Sequence, residues 1–267
     1  MSADIDQNAP GVEDEPGPFL LGLKDWVRSG WFNTATSELM TGFRVTPDDI
    51  VVDVGCGDGG IASFCAELGA HVIMADADAA RLEKAHQRLS GSTARKVEAY
   101  VTTGNPLPLP DASVTRVICM EVLEHVDDPA AFVAELVRVG QPGALYLITV
   151  PGTAIEKLQQ QLAPSVYFEK PNHIRIFEPD AFASLLEGAG LEIEHKSSYG
   201  FFWSIWWLLF WQTGLPFDPS RESMHPLLDA WTKTWSELLK SPNGAKTKQA
   251  LDGFLPKSQA IVARKPG

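Results

Sequence analysis

The chain alternates short β-branched runs with stretches whose apolar residues recur at helical spacing. Residues 50–54 read as a first strand. Ile61, Phe64, Cys65 and Leu68 then fall on one face of a helix. Further strands are expected at 71–75, 97–101, 117–120, 144–150, 191–195 and 258–264. Between them lies a polar helix over 81–89. Another helix is punctuated by Asp128 as its cap, Pro129 in its first turn, and Gly140 with Pro142 at its end. A third shows a stripe of Phe182, Leu185 and Leu186, closed by Gly188 and Gly190. Upstream, Leu20, Leu23, Trp26 and Val27 predict a helical segment within residues 19–40. The alternation predicts an α/β fold, a doubly wound and mostly parallel seven-stranded sheet with helices on both faces.

One stretch breaks the pattern. Residues 199–256 stand between the last two strands and hold six of the eight tryptophans. In 201–211, ten of eleven residues are apolar, whereas a membrane span needs about 20. Leu227, Leu228, Trp231, Trp235, Leu238 and Leu239 mark a second helix. Three uses stay open: a helical subdomain packed on itself and the sheet, a cap whose aromatic wall meets an apolar substrate, or an interfacial or subunit contact. The expected organisation is an acidic, Pro- and Gly-rich disordered tail over 1–18, a cofactor-binding core with an N-terminal helical segment over 19–198, a Trp-rich helical cap over 199–256, and the last core strand within 257–267.

The first strand carries Asp53 and runs into Gly55-Cys56-Gly57-Asp58-Gly59-Gly60. Without a Cβ, Gly55 and Gly57 allow a sharp turn and let a ligand approach the backbone. The spacing also satisfies the dinucleotide pattern of an NAD-linked enzyme. Asp53 and Asp58 would repel a pyrophosphate, and they favour a ligand bearing an ammonium group. S-adenosylmethionine has an ammonium, a sulfonium and no phosphate. Asp76, at the tip of the second strand, is placed to bond a ribose diol. Cys56 reads as a small residue that fits the loop.

These residues, together with Gly104-Asn105 and Cys119-Met120-Glu121-Val122-Leu123-Glu124-His125-Val126, resemble class I S-adenosylmethionine-dependent methyltransferases over roughly residues 45–195. The resemblance implies a Rossmann-like sheet whose last strand runs antiparallel between the fifth and sixth. It implies a cofactor site formed by Asp53, Gly55, Cys56, Gly57, Asp76, Ala77, Asn105, Pro106 and Glu121. Asn105 stands where the family commonly has Asp, and its carbonyl can accept the same adenine bond. Glu121-x-x-Glu124-His125 is expected on one side of a helical turn. With His173, it resembles the divalent-cation sites of ubiquinone-biosynthesis O-methyltransferases and of small-RNA 2′-O-methyltransferases. Glu121, Glu124, His125 and His173 are therefore candidate ligands. The alternative makes Glu121 and His125 parts of the cofactor pocket and gives His173 the role of general base. In that alternative Glu124 and His173 also make structural hydrogen bonds; across the two readings His173 and His125 are the catalytic candidates.

Charge narrows the acceptor. The 267 residues carry a formal net charge of −12, with no visible basic patch for nucleic-acid phosphates, and an anionic membrane is disfavoured on the same ground. Cys56, Cys65 and Cys119 are an odd set among apolar neighbours and point to reduced thiols in a cytoplasmic setting, with peripheral membrane contact through 201–211 still allowed. The expected enzyme transfers a methyl group to a hydroxyl on an apolar or aromatic small molecule. The competing readings are a metal-dependent nucleic-acid 2′-O-methyltransferase and a catalytically silent cofactor-binding partner subunit.

Overall fold

The computed structural model describes residues 17–216 and 225–267. The tail expected over 1–18 lies outside the described residues except for its end, where Pro18 already begins a helix. In chain order the elements are α1 (Pro18–Val27), β1 (Trp31–Asn33), β2 (Glu38–Met40), β3 (Phe43–Arg44), β4 (Ile50–Val54), α2 (Gly60–Glu67), β5 (His71–Asp76), α3 (Ala79–Leu89), β6 (Lys96–Val101) and β7 (Val114–Met120). There follow α4 (Pro129–Val139), β8 (Gly140–Pro151), α5 (Thr153–Gln159), α6 (Pro179–Gly188), β9 (Glu192–Tyr199), α7 (Phe201–Phe210), α8 (Pro226–Lys240), α9 (Gly244–Phe254) and β10 (Ser258–Arg264).

The large sheet has the order β6-β5-β4-β7-β8-β10-β9. The pairings β4–β5, β4–β7, β5–β6 and β7–β8 are parallel, while β10 runs antiparallel to both β8 and β9, as the resemblance implied. Successive side chains point to opposite faces, so each strand feeds two cores. Val52, Val54, Val117, Cys119, Tyr146 and Ile148 pack under α4 and α6. Val51, Val72, Met74, Ile118, Leu147 and Val262 pack under α2 and α3.

The segment 19–40 is not helical throughout. α1 stops at Val27, and the chain then forms a small antiparallel sheet of β1, β2 and β3. Gly30, at φ +89°, makes the turn between them. Trp31, Leu39, Met40 and Phe43 extend the second core. The Asp128 cap is present, its carboxylate accepting from the Ala131 N–H (3.0 Å).

The Trp-rich segment forms α7, and Phe202, Trp206, Phe210, Leu228 and Trp235 share a third core with Leu21 of α1 and Ile155 of α5. Gly22 lets α1 and α7 touch, because a Cβ there would lie 2.4 Å from the Trp203 ring. A buried polar knot pins the same helices. Lys248 Nζ lies 3.3 Å from Asp25 Oδ2, donates to Ser29 Oγ (2.6 Å) and pairs with Asp252. Trp235 Nε1 donates to Asp25 Oδ1 (2.8 Å), and the Phe201 N–H to Asp252 Oδ1 (2.9 Å). Burial pushes the Asp25 carboxyl up to about 6 despite the pull of Lys248. No side chain of 201–211 is among the exposed large apolar ones; those include Phe19, Leu20, Leu23 and Val27 on α1. No helix of the described residues is long and apolar enough to cross a membrane.

Candidate active site

The carboxyl ends of β4, β5 and β7 meet at one edge of the sheet. The glycine turn after β4 is pinned to β5, since the Gly55 and Cys56 N–H groups both donate to the Ala75 carbonyl (2.7 and 3.2 Å). Gly55 at φ +75° and Gly57 at φ +53° hold left-handed backbone that L residues avoid. The Gly57 N–H donates to Asp76 Oδ2 (2.8 Å), and Asp76 Oδ1 accepts from the Asp78 N–H (2.9 Å). Each Asp76 oxygen keeps a lone pair for a further donor. Asp53 is 2% exposed, and its Oδ2 has no hydrogen-bond partner. Burial, and then the Asp76 charge, push its carboxyl up to about 7. A buried carboxylate left this way is suited to a cationic ligand. Ala77, Asn105 and Pro106 are exposed at the ends of β5 and β6. Cys56, Cys65 and Cys119 are buried and free, and burial raises all three thiols, which makes them poor nucleophiles.

A second cluster begins at the end of β7. Glu121 sits at φ +52°, and only Leu123–His125 form a helical turn, a single 3₁₀ one. Glu121 is thereby directed away from the helical side expected of it. Its Oε1 accepts from Thr149 Oγ1 (3.0 Å), and its Oε2 lies 3.6 Å from Lys257 Nζ. Glu124 turns inward, is 0% exposed, and leaves both carboxylate oxygens without a hydrogen-bond partner. Burial and then the Glu121 charge hold its carboxyl well above the ordinary range. The segment carrying His173 is stitched on by backbone bonds, from the Ile174 N–H to the Glu124 carbonyl (3.0 Å) and from the His173 N–H to the Tyr167 carbonyl (3.0 Å). Glu124, His125 and His173 each offer a ligand atom within 4.8 Å of the others. The rings of His125 and His173 stand 5.0 Å apart at 83°.

Both imidazoles are oriented from behind. His125 Nδ1 donates to the Pro171 carbonyl (3.0 Å), which leaves Nε2 unprotonated in the neutral ring, 3.7 Å from Glu124 Oε1. Burial, and then His173, lower the His125 pKa, so the ring is neutral at pH 7. His173 Nδ1 donates to Glu156 Oε2 (2.8 Å), which likewise frees its Nε2. Glu156 is held in turn by Gln159 Nε2 (2.7 Å), and Gln159 Oε1 accepts from Trp211 Nε1 (3.0 Å) at the end of α7. Tyr167 packs on both His173 and Trp211, with ring centres at 4.6 and 5.2 Å. Lys257 lies 3.9 Å from Glu156. Burial alone would lower its pKa, but Glu121, Tyr167, Glu156 and Glu124 outweigh that and hold it charged.

Residues 52–148 match the family described as methyltransferase domain. The chain is 42% identical over 107 residues to a ubiquinone biosynthesis O-methyltransferase of Hahella chejuensis, covering 39% of this chain and 44% of that protein. Residues 52–148 thus carry a methyltransferase domain. A probable S-adenosylmethionine-dependent methyltransferase of Mycolicibacterium smegmatis is 36% identical over 146 residues, or 54% of this chain and 52% of that one. The chain thus spans about half the length of the curated relatives it matches. A solved S-adenosylmethionine-dependent methyltransferase from Methanosarcina mazei shares the fold, with a TM-score of 0.53 at 17% identity over 83% of this chain and 94% of that one.

Within the methyltransferase domain, Asp53, Gly55, Cys56, Gly57 and Asp76 gather around one turn. Of the four candidate ligands, Glu124, His125 and His173 converge, while Glu121 is engaged by Thr149 and Lys257. Sequence reasoning missed Glu156, Gln159, Tyr167 and Lys257. Lys257 arrives only through strand order, its N–H donating to the Tyr199 carbonyl (3.0 Å) and its carbonyl accepting from the Gly152 N–H (2.8 Å). Glu156 and Gln159 are the buried polar positions of α5, spaced i and i+3, and that spacing was the one available signal.

Proposed function

We propose that this protein methylates a hydroxyl oxygen of an apolar or aromatic small molecule, using S-adenosylmethionine as donor and a divalent cation held by Glu124, His125 and His173. The observation that carries the reading is the donor set: two buried carboxylate oxygens without partners, beside two imidazoles whose free nitrogens are both Nε2. The residues fit both groups. Asp53, Gly55, Cys56 and Gly57 would receive the amino-acid end of the donor, Asp76 and Ala77 its ribose, and Asn105 and Pro106 its adenine. Glu121 falls to the cofactor side, since Lys257 and Thr149 already hold it there. Bound S-adenosylmethionine supplies an electrophilic methyl group, and the cation would lower the acceptor hydroxyl's pKa.

The chain's own residues supply position and proton handling. Glu156 and Pro171 fix the two imidazole planes, so that both Nε2 atoms face the shared site; with the cation bound they would be its ligands, and only without it is His173 Nε2 free to take the acceptor proton. Tyr167 and Trp211 give the acceptor an aromatic wall beside His173, and α7 excludes water from that side. The ubiquinone biosynthesis O-methyltransferase relative supports hydroxyl chemistry. The negative net charge favours a small acceptor over a nucleic acid.

The test titrates manganese into chelator-treated protein by calorimetry and follows S-adenosylhomocysteine formation with prenyl-substituted catechols. One stoichiometric site is expected, lost in Glu124→Gln and His173→Ala while cofactor affinity is kept. Full turnover in excess chelator, or manganese binding unchanged by both substitutions, would remove the cation from the reading.

A further inference from the structure

α1 exposes an unusual set of side chains. Phe19, Leu20, Leu23 and Val27 are 54%, 51%, 48% and 50% exposed. Phe19, Leu23 and Val27 recur at i, i+4 and i+8 and form one row. Leu20, Lys24 and Arg28 form the neighbouring row, apolar at its start and basic at its end, and both cations are exposed. The helix's one acid, Asp25, is turned inward and paired with Lys248. A helix face meant for water would carry charges where this one carries Phe and Leu. Phe19 also packs at 5.7 Å on the half-buried Trp203, so the apolar row continues onto α7.

The basic end of α1 opens onto a cleft of about 500 Å³. Arg28 lines it with Lys246 of α9 and with Ser29, Thr41, Ser198 and Gln249. Lys248 at its floor is neutralised by Asp25 and Asp252. Lys24, Arg28 and Lys246 have no ion-pair partner among the described residues. In a chain of net charge −12, these cations, unpaired among the described residues, are gathered beside an exposed apolar row. We propose that this face docks on an anionic phospholipid surface. Phe19, Leu23 and Val27 enter the boundary between headgroups and acyl chains, Lys24, Arg28 and Lys246 lie at phosphate depth, and the cleft with its hydroxyl groups admits a headgroup phosphate. Charge complementarity selects this occupant. A second copy docked face to face would bring the same cations together.

The experiment sediments the full chain with vesicles of phosphatidylcholine alone and of phosphatidylcholine containing phosphatidylglycerol. Binding is expected only with the anionic lipid, and it weakens as salt rises. Lys24→Glu with Arg28→Glu should weaken it by about tenfold or more, Lys24→Arg should not, and Phe19→Ser with Leu23→Ser should abolish it. These side chains are exposed, and circular dichroism should show an unchanged fold. S-adenosylhomocysteine affinity should stay the same in every variant, which separates this proposal from the one about the acceptor. Three results would each overturn it: no sedimentation with anionic vesicles, binding indifferent to both charge reversals, or a dimer in solution that Phe19→Ser with Leu23→Ser dissociates while vesicle binding is absent.

Discussion

Replacing Asp53 by Asn should make the ligand-free protein more stable and weaken its binding of S-adenosylhomocysteine. The carboxyl is raised from an ordinary 3.8 to about 7, chiefly by burial and then by Asp76. A folded-state pKa above the unfolded one means that the native state holds the proton more tightly. Stability from this group is full below about pH 4, falls as pH rises toward 7, and is lost above it. The shift of about 3 units corresponds to about 4 kcal/mol at pH 8 as an upper bound. Asn removes the charge and keeps a carbonyl oxygen for the backbone bond that Asp53 makes to Ala62. A gain of about 2–4 kcal/mol is therefore expected at pH 8, or roughly 4–16 °C in Tm for a chain of this size. Parent and variant should converge near pH 4. In calorimetry the parent's S-adenosylhomocysteine affinity should fall about tenfold from pH 8 to pH 6, because the proton must leave before the ligand's ammonium can pair, and the variant should bind weakly at both. Equal or lower stability of Asp53→Asn at pH 8, or an unchanged affinity for S-adenosylhomocysteine, would refute the reasoning.

Two further outcomes follow from the buried polar groups. Lys248→Met leaves Asp25 and Asp252 without their shared cation and should cost about 3–5 kcal/mol, seen as an earlier urea midpoint. Gln159→Leu removes the hydrogen bonds to Trp211 Nε1 and Glu156 Oε1, costs about 1–3 kcal/mol, and should lower kcat with cofactor affinity intact, because His173 loses its support; an unchanged kcat would show that the chain of bonds does not orient the ring.

All seven strands of the large sheet were legible because six of them carry β-branched or apolar runs and the seventh stands just after a glycine stop. Their ends were less so. β9 runs to Tyr199 rather than to residue 195, because Lys196, Ser197 and Ser198 hide an alternation that only pairing with β10 makes regular. β1, β2 and β3 are two or three residues long, too short to show a period. α9 escaped notice for a different reason: its buried row is Gly244, Lys248 and Asp252, helical in spacing but polar. In the site, the glycine turn and the Glu-x-x-Glu-His stretch were readable because their residues are close in sequence. The positive φ at Glu121, which separates it from Glu124, left no trace in residue type. Glu156 and Lys257 were hard to find because neither is near the motif in sequence: Glu156 reaches the site from α5, and Lys257 from just before β10.

The chain leaves the large sheet at Tyr199 and re-enters it at Ser258, and these two residues face each other in register. Residues 200–257 are therefore strung between two points one strand spacing apart, where a hairpin turn would also reach. The glycine turn, Asp53 and Asp76 lie on other strands and do not depend on what fills that gap. A lineage could exchange or lengthen this excursion and so, on the proposed reading, present a new wall to a new acceptor, while the glycine turn, Asp53 and Asp76 were inherited unchanged. Among the described residues, Trp211 and Lys257 are the exceptions, reaching His173 through Gln159 and Glu156 or lying beside Glu121. They are the positions such an exchange would have to re-create.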